Sequence, residues 1–320
     1  MRWPFHSRRF ARNLVLLHTE TQQALSDWVT VREKIEARAP DIDARLASND
    51  EPNPDIYRWQ VTRPSLVISP FRLLAYRPPG GTVYVGKEMG KVAEWLHMLA
   101  CGLPIPHTVR LVPGLQLPPE TWGEYVVLKP VKGLRGRDIR LLRTEEVGRR
   151  YEELSVGGRR RMLVQQYIEN LNPERCPTSY RIVTLFGEPI LLCEISWLNP
   201  LPPLADLAAD PDGRIATNGE GIARRNKCVK IPDVIQLGRR VAAAFPDIPC
   251  LGQDIVRSKV TGELFILEAN PGGAVWHFSS AVYTQQPQYN EAFTKEMYAQ
   301  FGALDVVADR LIERTRREAS

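Results

Sequence analysis

The residues most able to do chemistry stand late in the chain: Asp254, Glu268 and Asn270. They flank the turn Val260-Thr261-Gly262, which separates two strand-like segments, Leu251–Arg257 and Glu263–Ala269. A pairing centred on Thr261 puts Asp254 opposite Glu268, with Cβ atoms about 5 Å apart on one face. A bulge at the turn would move that register. Asn270 lies two residues beyond Glu268 and shares its face, because strand side chains alternate with period two. Two carboxylates and an amide oxygen meeting at one point make hard ligands suited to Mg²⁺ carrying phosphates. On a solvated sheet face the same carboxylates would repel without compensation. A cation removes that cost. Pro271-Gly272-Gly273 then turns the chain and lets backbone approach a ligand.

Two earlier segments offer a partner for such a metal. Val126-Val127-Leu128-Lys129-Pro130 ends an apolar strand on a lysine, and a basic loop containing Gly133 and Gly136 follows it. Glycines let backbone N–H groups bend over phosphate oxygens, and Lys or Arg supplies countercharge. Basic glycine-containing hairpins also occur with no such role, so the loop alone leaves both readings open. Leu163 to Ile168 reads as a strand passing into a loop. The polar groups of Gln165 and Gln166 could read an adenine edge there, with Tyr167 and Ile168 as apolar walls. Arg224-Arg225-Asn226 could fork onto a substrate carboxylate or simply be solvated. His277, beside Trp276 just after the metal motif, reads either as a substrate contact or as packing.

These residues need a frame. Asn13–His18 reads as a buried strand, and a charged helical region follows over 26–47. Short strands are expected at Ser65–Ile68, Leu73–Tyr76 and Thr82–Val85. Lys91–Cys101 has helical spacing with Val92, Trp95, Leu96 and Leu99 on its apolar face, and Gly102 ends it. Strands are expected at Glu124–Lys129, Asp138–Leu142 and Met162–Ile168, with a short polar helix over 144–154 between the last two. Tyr180–Phe186 and Ile190–Ser196 should form a hairpin, and 197–213 a long loop. Pro232–Phe245 is a helix with proline in its first turn, and 290–316 one amphipathic helix or a pair. The organisation expected is a small α/β domain over 1–86, a lid subdomain over 87–168 and a large subdomain over 169–320.

Composition narrows the partners. With 320 residues, 43% apolar and 25% charged, the chain is neither disordered nor collagenous. A net charge of +5 suits an anionic ligand or a merely solvated basic surface. The arginines are scattered and not interleaved with aromatics, so a nucleic-acid partner is not expected. Five well-separated cysteines argue against a disulfide framework or zinc site, and each reads as a small buried hydrophobe in a reducing cytoplasm. The apolar run after the basic start is too short for a signal-peptide core, and no stretch is long enough to span a membrane.

The order of the pieces resembles the ATP-grasp superfamily: Lys91 before a helix, strand-borne Lys129 with its glycine loop, Gln165-Gln166-Tyr167-Ile168, Arg181, then Asp254 and Glu268-x-Asn270. Gly90-Lys91-Val92 and Val164 to Asn170 look like the biotin-carboxylase branch. The Arg181 hairpin and Glu268 to Gly272 look equally like the ribosomal-protein glutamate ligase and D-alanine ligase branches. The resemblance runs from about Gly86 to Gly273 and implies an α/β fold in which two antiparallel-sheet subdomains grip ATP. It implies that Lys91 and Lys129 contact phosphates, that Gln165 to Ile168 hold adenine, and that Asp254, Glu268 and Asn270 bind one or two Mg²⁺. Arg181 matches the position that steadies the transferred phosphoryl group, unless it is an ordinary surface arginine. Gln165 replaces the acid that many members carry, and Leu134 and Arg135 are bulky for the loop.

The activity so implied is carbon–nitrogen ligation. A carboxylate, small-molecule or peptide, is activated as an acyl-phosphate and attacked by an amine. No protein nucleophile is needed, since positioning and charge neutralisation carry such transfers. A kinase using the same grip and a nucleotide-binding regulator without turnover stay open as alternatives.

Overall fold

The computed structural model describes residues 10–132, 138–210, 215, 223–273 and 275–320. The described residues form thirteen strands, β1 (Arg12–His18), β2 (Ile42–Ser48), β3 (Ser65–Ser69), β4 (Thr82–Val85), β5 (Thr108–Arg110), β6 (Tyr125–Pro130), β7 (Arg140–Arg143), β8 (Met162–Gln166), β9 (Thr178–Leu185), β10 (Glu188–Trp197), β11 (Arg224–Cys228), β12 (Cys250–Arg257) and β13 (Leu264–Asn270). The helices are α1 (Leu25–Arg38), α2 (Pro54–Gln60), α3 (Lys91–Ala100), α4 (Pro119–Trp122), α5 (Tyr151–Leu154), α6 (Leu204–Ala209), α7 (Pro232–Ala244), α8 (Ala281–Thr284), α9 (Glu291–Gln300) and α10 (Ala303–Glu318).

They build three sheets. The first is parallel, in the order β2-β1-β3-β4. Its central strands are continuous apolar runs because both faces are covered. Leu14, Leu16 and Ile68 pack towards α1 and α10, while Val15, Leu17 and Val67 pack with Trp59 of α2. The second sheet, β5-β8-β6-β7, is antiparallel. The third is an antiparallel five-stranded sheet, β11-β10-β9-β12-β13. One of its faces joins the core shared with α9, α10 and the first sheet, and the other packs on α7 and on Met98 of α3.

Several sequence expectations need correction. The charged helix stops at Arg38, and Ile42–Ser48 is a strand. Its alternating Ile42 and Ala44 are buried, a period of two hidden behind a charged stretch. Leu73–Tyr76 is not a strand: the Ala75 N–H bonds the Asn49 carbonyl, and the Asn49 side chain accepts from the Leu74 N–H, so its polar backbone is served locally. Residues 144–154 hold a 3₁₀ turn at Thr144–Glu146 and the one-turn α5 instead of a continuous helix. The proline-rich stretch after Trp197 contains α6. Cys101 is exposed, whereas the other four cysteines are buried. Among the described residues no helix is long and apolar enough to cross a membrane.

Candidate functional site

The site is assembled along one transverse row of the five-stranded sheet. Cys228 of β11 pairs with Cys193 of β10, Cys193 with Arg181 of β9, Arg181 with Asp254 of β12, and Asp254 with Glu268 of β13. Directly paired residues share a face, so five side chains from five strands stand side by side. The adjacent row, Leu192, Ile182, Gln253 and Ala269, faces the opposite way, onto α7.

The expected opposition of Asp254 and Glu268 is present, with a different cause. The hairpin closes around Ser258–Glu263, half a residue away from Thr261. A bulge between Asp254 and Ile255, with Leu267 as the extra residue, restores the pairing. Asn270 lies on the same face, and its Nδ2 is 3.5 Å from Asp254 Oδ2.

Arg181 is not a surface arginine. It is only 8% exposed, and its Nε lies 3.2 Å from Asp254 Oδ1. Burial is the largest single influence and lowers its pKa, but Asp254, Tyr283, Glu268 and Tyr289 together outweigh it and raise the value. Burial pushes the Asp254 carboxyl upward, against the pull of Arg181 and with the help of Glu268. Nη1 of Arg181 is buried without a hydrogen-bond partner. A buried guanidinium N–H left unserved is costly, so an anionic group at this point would complete it.

Lys129 comes from the second sheet. It shares a face with Val127, which pairs with both Gln165 and Leu141. Burial lowers its pKa, Glu268 opposes that, and Lys91 adds to it. Both lysines and the carboxylates of the row are therefore within electrostatic reach. Lys91 opens α3, with Gly90 as N-cap. The buried positions of α3 are Glu94 and Met98, while Leu96 and Leu99 are exposed, so the apolar face read from the sequence is corrected by rotation of the helix.

Glu94 was not anticipated. It is 5% exposed, and its Oε1 accepts the Ala269 N–H at 2.6 Å. Burial raises its pKa to about 8, the Ala269 N–H works against this, and Glu268 adds to it. A charged residue inside an amphipathic helix reads as a solvated position, and only the neighbouring strand edge reveals otherwise.

In the hinge segment, Gln165 is buried and its Nε2 donates to Thr108 Oγ1 at 3.1 Å. The N–H groups of Gln166 and Tyr167 bond the carbonyls of His107 and Tyr125. An adenine edge would therefore be read by other groups of this segment. Tyr167 packs with Val127, Leu141 and α6, and Ile168 is half-buried. The hinge is tied to the metal hairpin, because the Lys259 N–H bonds the Glu169 carbonyl at 2.7 Å. Gly133 and Gly136, like Leu134 and Arg135, lie outside the described residues.

Gly272 serves the chain itself. A Cβ there would sit 2.5 Å from the Lys87 carbonyl oxygen, and the Lys87 N–H bonds the Pro271 carbonyl. The glycine expected to admit a ligand thus admits a neighbouring segment.

Among the substrate candidates, Arg224 shares the face of Cys228 and Cys193 and reaches Gln286 at 3.4 Å, while Arg225 is exposed on the opposite face. His277 is 3% exposed, stacked on Tyr283 at 3.9 Å between ring centroids and bonded through Nδ1 to Tyr289 Oη at 3.0 Å. Both tyrosines act electrostatically on Arg181, so the sequence missed the rings that wall this end of the row. Asp27 of α1 anchors the same segment, accepting from Trp276 Nε1 at 2.7 Å and Tyr298 Oη at 2.7 Å.

Among the described residues no group of three or more His, Cys, Asp or Glu gathers as a cation cage. The donor set here is two carboxylates and an amide. That fits Mg²⁺, which binds through one or two carboxylates and takes its other oxygens from phosphates and water.

No family model matches the chain, and no curated protein matches its sequence. Solved structures do match its shape. ATP-grasp ligase PsnB complexed with precursor peptide PsnA2 and AMPPNP superposes with a TM-score of 0.52 at 16% identity, over 95% of this chain and 98% of that one. PsnB with a phosphomimetic variant of its minimal precursor, Mg and ADP gives 0.52 at 16%, over 96% and 99%. This chain has the ATP-grasp fold. D-alanine–D-alanine ligase from Bacillus anthracis gives a TM-score of 0.48 at 11% identity, over 96% and 99%.

Proposed function

We propose that this chain is an ATP- and Mg²⁺-dependent carbon–nitrogen ligase that activates a carboxylate as its acyl-phosphate for attack by an amine. The observation that carries the reading is the row Arg181–Asp254–Glu268, with Lys129 and Lys91 within electrostatic reach of it. Two lysines, an arginine with an unserved N–H and two opposed carboxylates form an arrangement that a triphosphate with its cation would neutralise. The proposed organisation keeps 1–86 as an N-terminal domain, 87–168 as the lid and 169–320 as the large subdomain.

In this reading Asp254, Glu268 and Asn270 hold Mg²⁺, which neutralises phosphate charge. Lys91 and Lys129 bind phosphate oxygens, and Gly133 and Gly136 are proposed as further phosphate contacts. The segment from Gln165 to Ile168 borders the adenine. Arg181 directs Nη1 at the transferred phosphoryl group. Phosphoryl transfer to the substrate carboxylate releases ADP. The amine then attacks the acyl carbon, phosphate leaves, and the amine gives up a proton. Arg224 and the Tyr283–Tyr289 wall, backed by His277, border the substrate end. PsnB has been captured with a precursor peptide, with Mg and with ADP, which supports including peptides among the carboxylates and amines to be tried.

The test is ADP release from ATP over paired amino acids, peptides and carboxylic acids, with hydroxylamine to trap an acyl-phosphate. A hydroxamate, and an amide when the amine is added, are expected. ADP with a stable phosphorylated alcohol and no hydroxamate would replace ligase with kinase.

A further inference from the structure

The outer edge of β13 carries the proposed metal residues, and no sixth strand pairs with it among the described residues. Its N–H groups are served by another element. The Ile266 N–H bonds the Pro104 carbonyl at 2.8 Å, and the Ala269 N–H bonds Glu94 Oε1 at 2.6 Å. Both acceptors belong to α3 and its exit, so this segment stands in for the missing strand. Between the two bonds lies the bulge at Leu267, the point that decides which way Glu268 faces.

A backbone carbonyl suffices at Ile266. At Ala269 the acceptor is a carboxylate that is 5% exposed, an expensive choice for bonding one neutral N–H. Burial, Glu268 and Asp254 favour its neutral form, while the Ala269 N–H and Lys129 favour the ionised one, so Glu94 sits at the same junction of lysines and acids. Ala269 lies between Glu268 and Asn270, and Lys91 stands one helical turn before Glu94. One side chain therefore links the helix carrying a phosphate lysine to the strand carrying two metal ligands.

We infer that Glu94 is a positioning residue: by holding the Ala269 N–H it fixes the backbone from which Glu268 and Asn270 face the metal, and sets the spacing between that metal and Lys91. The inference rests on the Mg²⁺–nucleotide reading above. It assigns Glu94 no ligand of its own. Groups that orient metal ligands typically carry about 10- to 100-fold in metal affinity.

The test is calorimetric titration of the full chain with ADP in Mg²⁺ and in EDTA, which requires no acid or amine substrate. Wild type should bind more tightly with Mg²⁺. Glu94→Ala removes the acceptor, and the gain due to Mg²⁺ should fall about 10-fold or more, with binding in EDTA nearly unchanged. Glu94→Gln keeps an oxygen acceptor and should restore most of the gain. Glu94→Met, which fills the space without accepting a bond, should behave as alanine does and serves if alanine fails to fold. Loss of affinity equally with and without Mg²⁺, or a full gain in folded Glu94→Ala or Glu94→Met, overturns the inference. A wild-type chain that binds no nucleotide in either condition overturns the ATP reading and the inference with it.

Discussion

The two antiparallel sheets that meet at the candidate site are built differently. The five-stranded sheet is covered on both faces, by the core shared with the first sheet and by α7. The four-stranded sheet has one face packed around an apolar centre of Val126, Leu128, Leu142 and Val164, with Arg140 and Gln166 at its margins. Its other face carries a smaller cluster at Val127 and Leu141, with Lys129 and Gln165 beside it. The difference separates two tasks. A sheet packed on both sides holds its side chains with little freedom, which suits ligands that must converge. A sheet with one half-covered face leaves room for a flat group.

That contrast can be broken by mutation. The largest effect is expected behind the row: Ile182→Ala, on the fully buried face next to Arg181, should cost about 2–5 kcal/mol, read by denaturant unfolding. The same truncation at Val127 should cost less and mainly weaken nucleotide binding. Equal losses at the two sites would contradict the division of tasks. Next is Gly272→Ala, whose Cβ would meet the Lys87 carbonyl oxygen at 2.5 Å. An overpacking cost of about 1–3 kcal/mol is expected, together with weaker Mg²⁺-dependent binding, because the clash lies two residues from Asn270.

A smaller effect concerns pH. The Glu94 carboxyl has a folded pKa of about 8, above its ordinary 4.5, and Asp254 is shifted the same way, both first of all by burial. A carboxyl raised on folding contributes stability that is complete below its unfolded pKa and lost as pH rises through the folded one. The ligand-free protein should therefore lose thermal stability between about pH 4.5 and 8, and Glu94→Gln should flatten that fall. A calorimetric melting series checks it. A wild-type profile rising over this window would contradict the assignment. The smallest effect expected is at Thr108→Val, which removes the Gln165 partner at 3.1 Å. A net hydrogen bond is worth about 1 kcal/mol, so nucleotide affinity should change only a few-fold while Mg²⁺ dependence is kept.

Much of this was legible in the chain because strands announce themselves by alternation. Asp254 and Glu268 could be paired from their distance to the turn, although the half-residue error in the turn was cancelled by a bulge that no composition signals. Arg181 could be named but not buried, since its burial depends on β10 and the tyrosines around it. Glu94 stayed hidden because its partner is a backbone N–H 175 residues away. Strand β11, Arg-Arg-Asn-Lys-Cys, has almost no strand character and forms because β10 offers it an edge. Residues 42–48 were lost to a charged helix pattern, though Ile42 and Ala44 alternate as a strand requires.

The central claim is that the opposed acids Asp254 and Glu268 form a magnesium site for ATP. Glu268→Gln tests it most directly, because it keeps shape while removing one charge from the pair. With folding verified by an unchanged melting transition, the account predicts that Mg²⁺-dependent ADP formation falls about 100-fold or more, an effect on the scale of one removed electrostatic contact in a transition state. Undiminished, Mg²⁺-dependent turnover in a folded Glu268→Gln protein would contradict it.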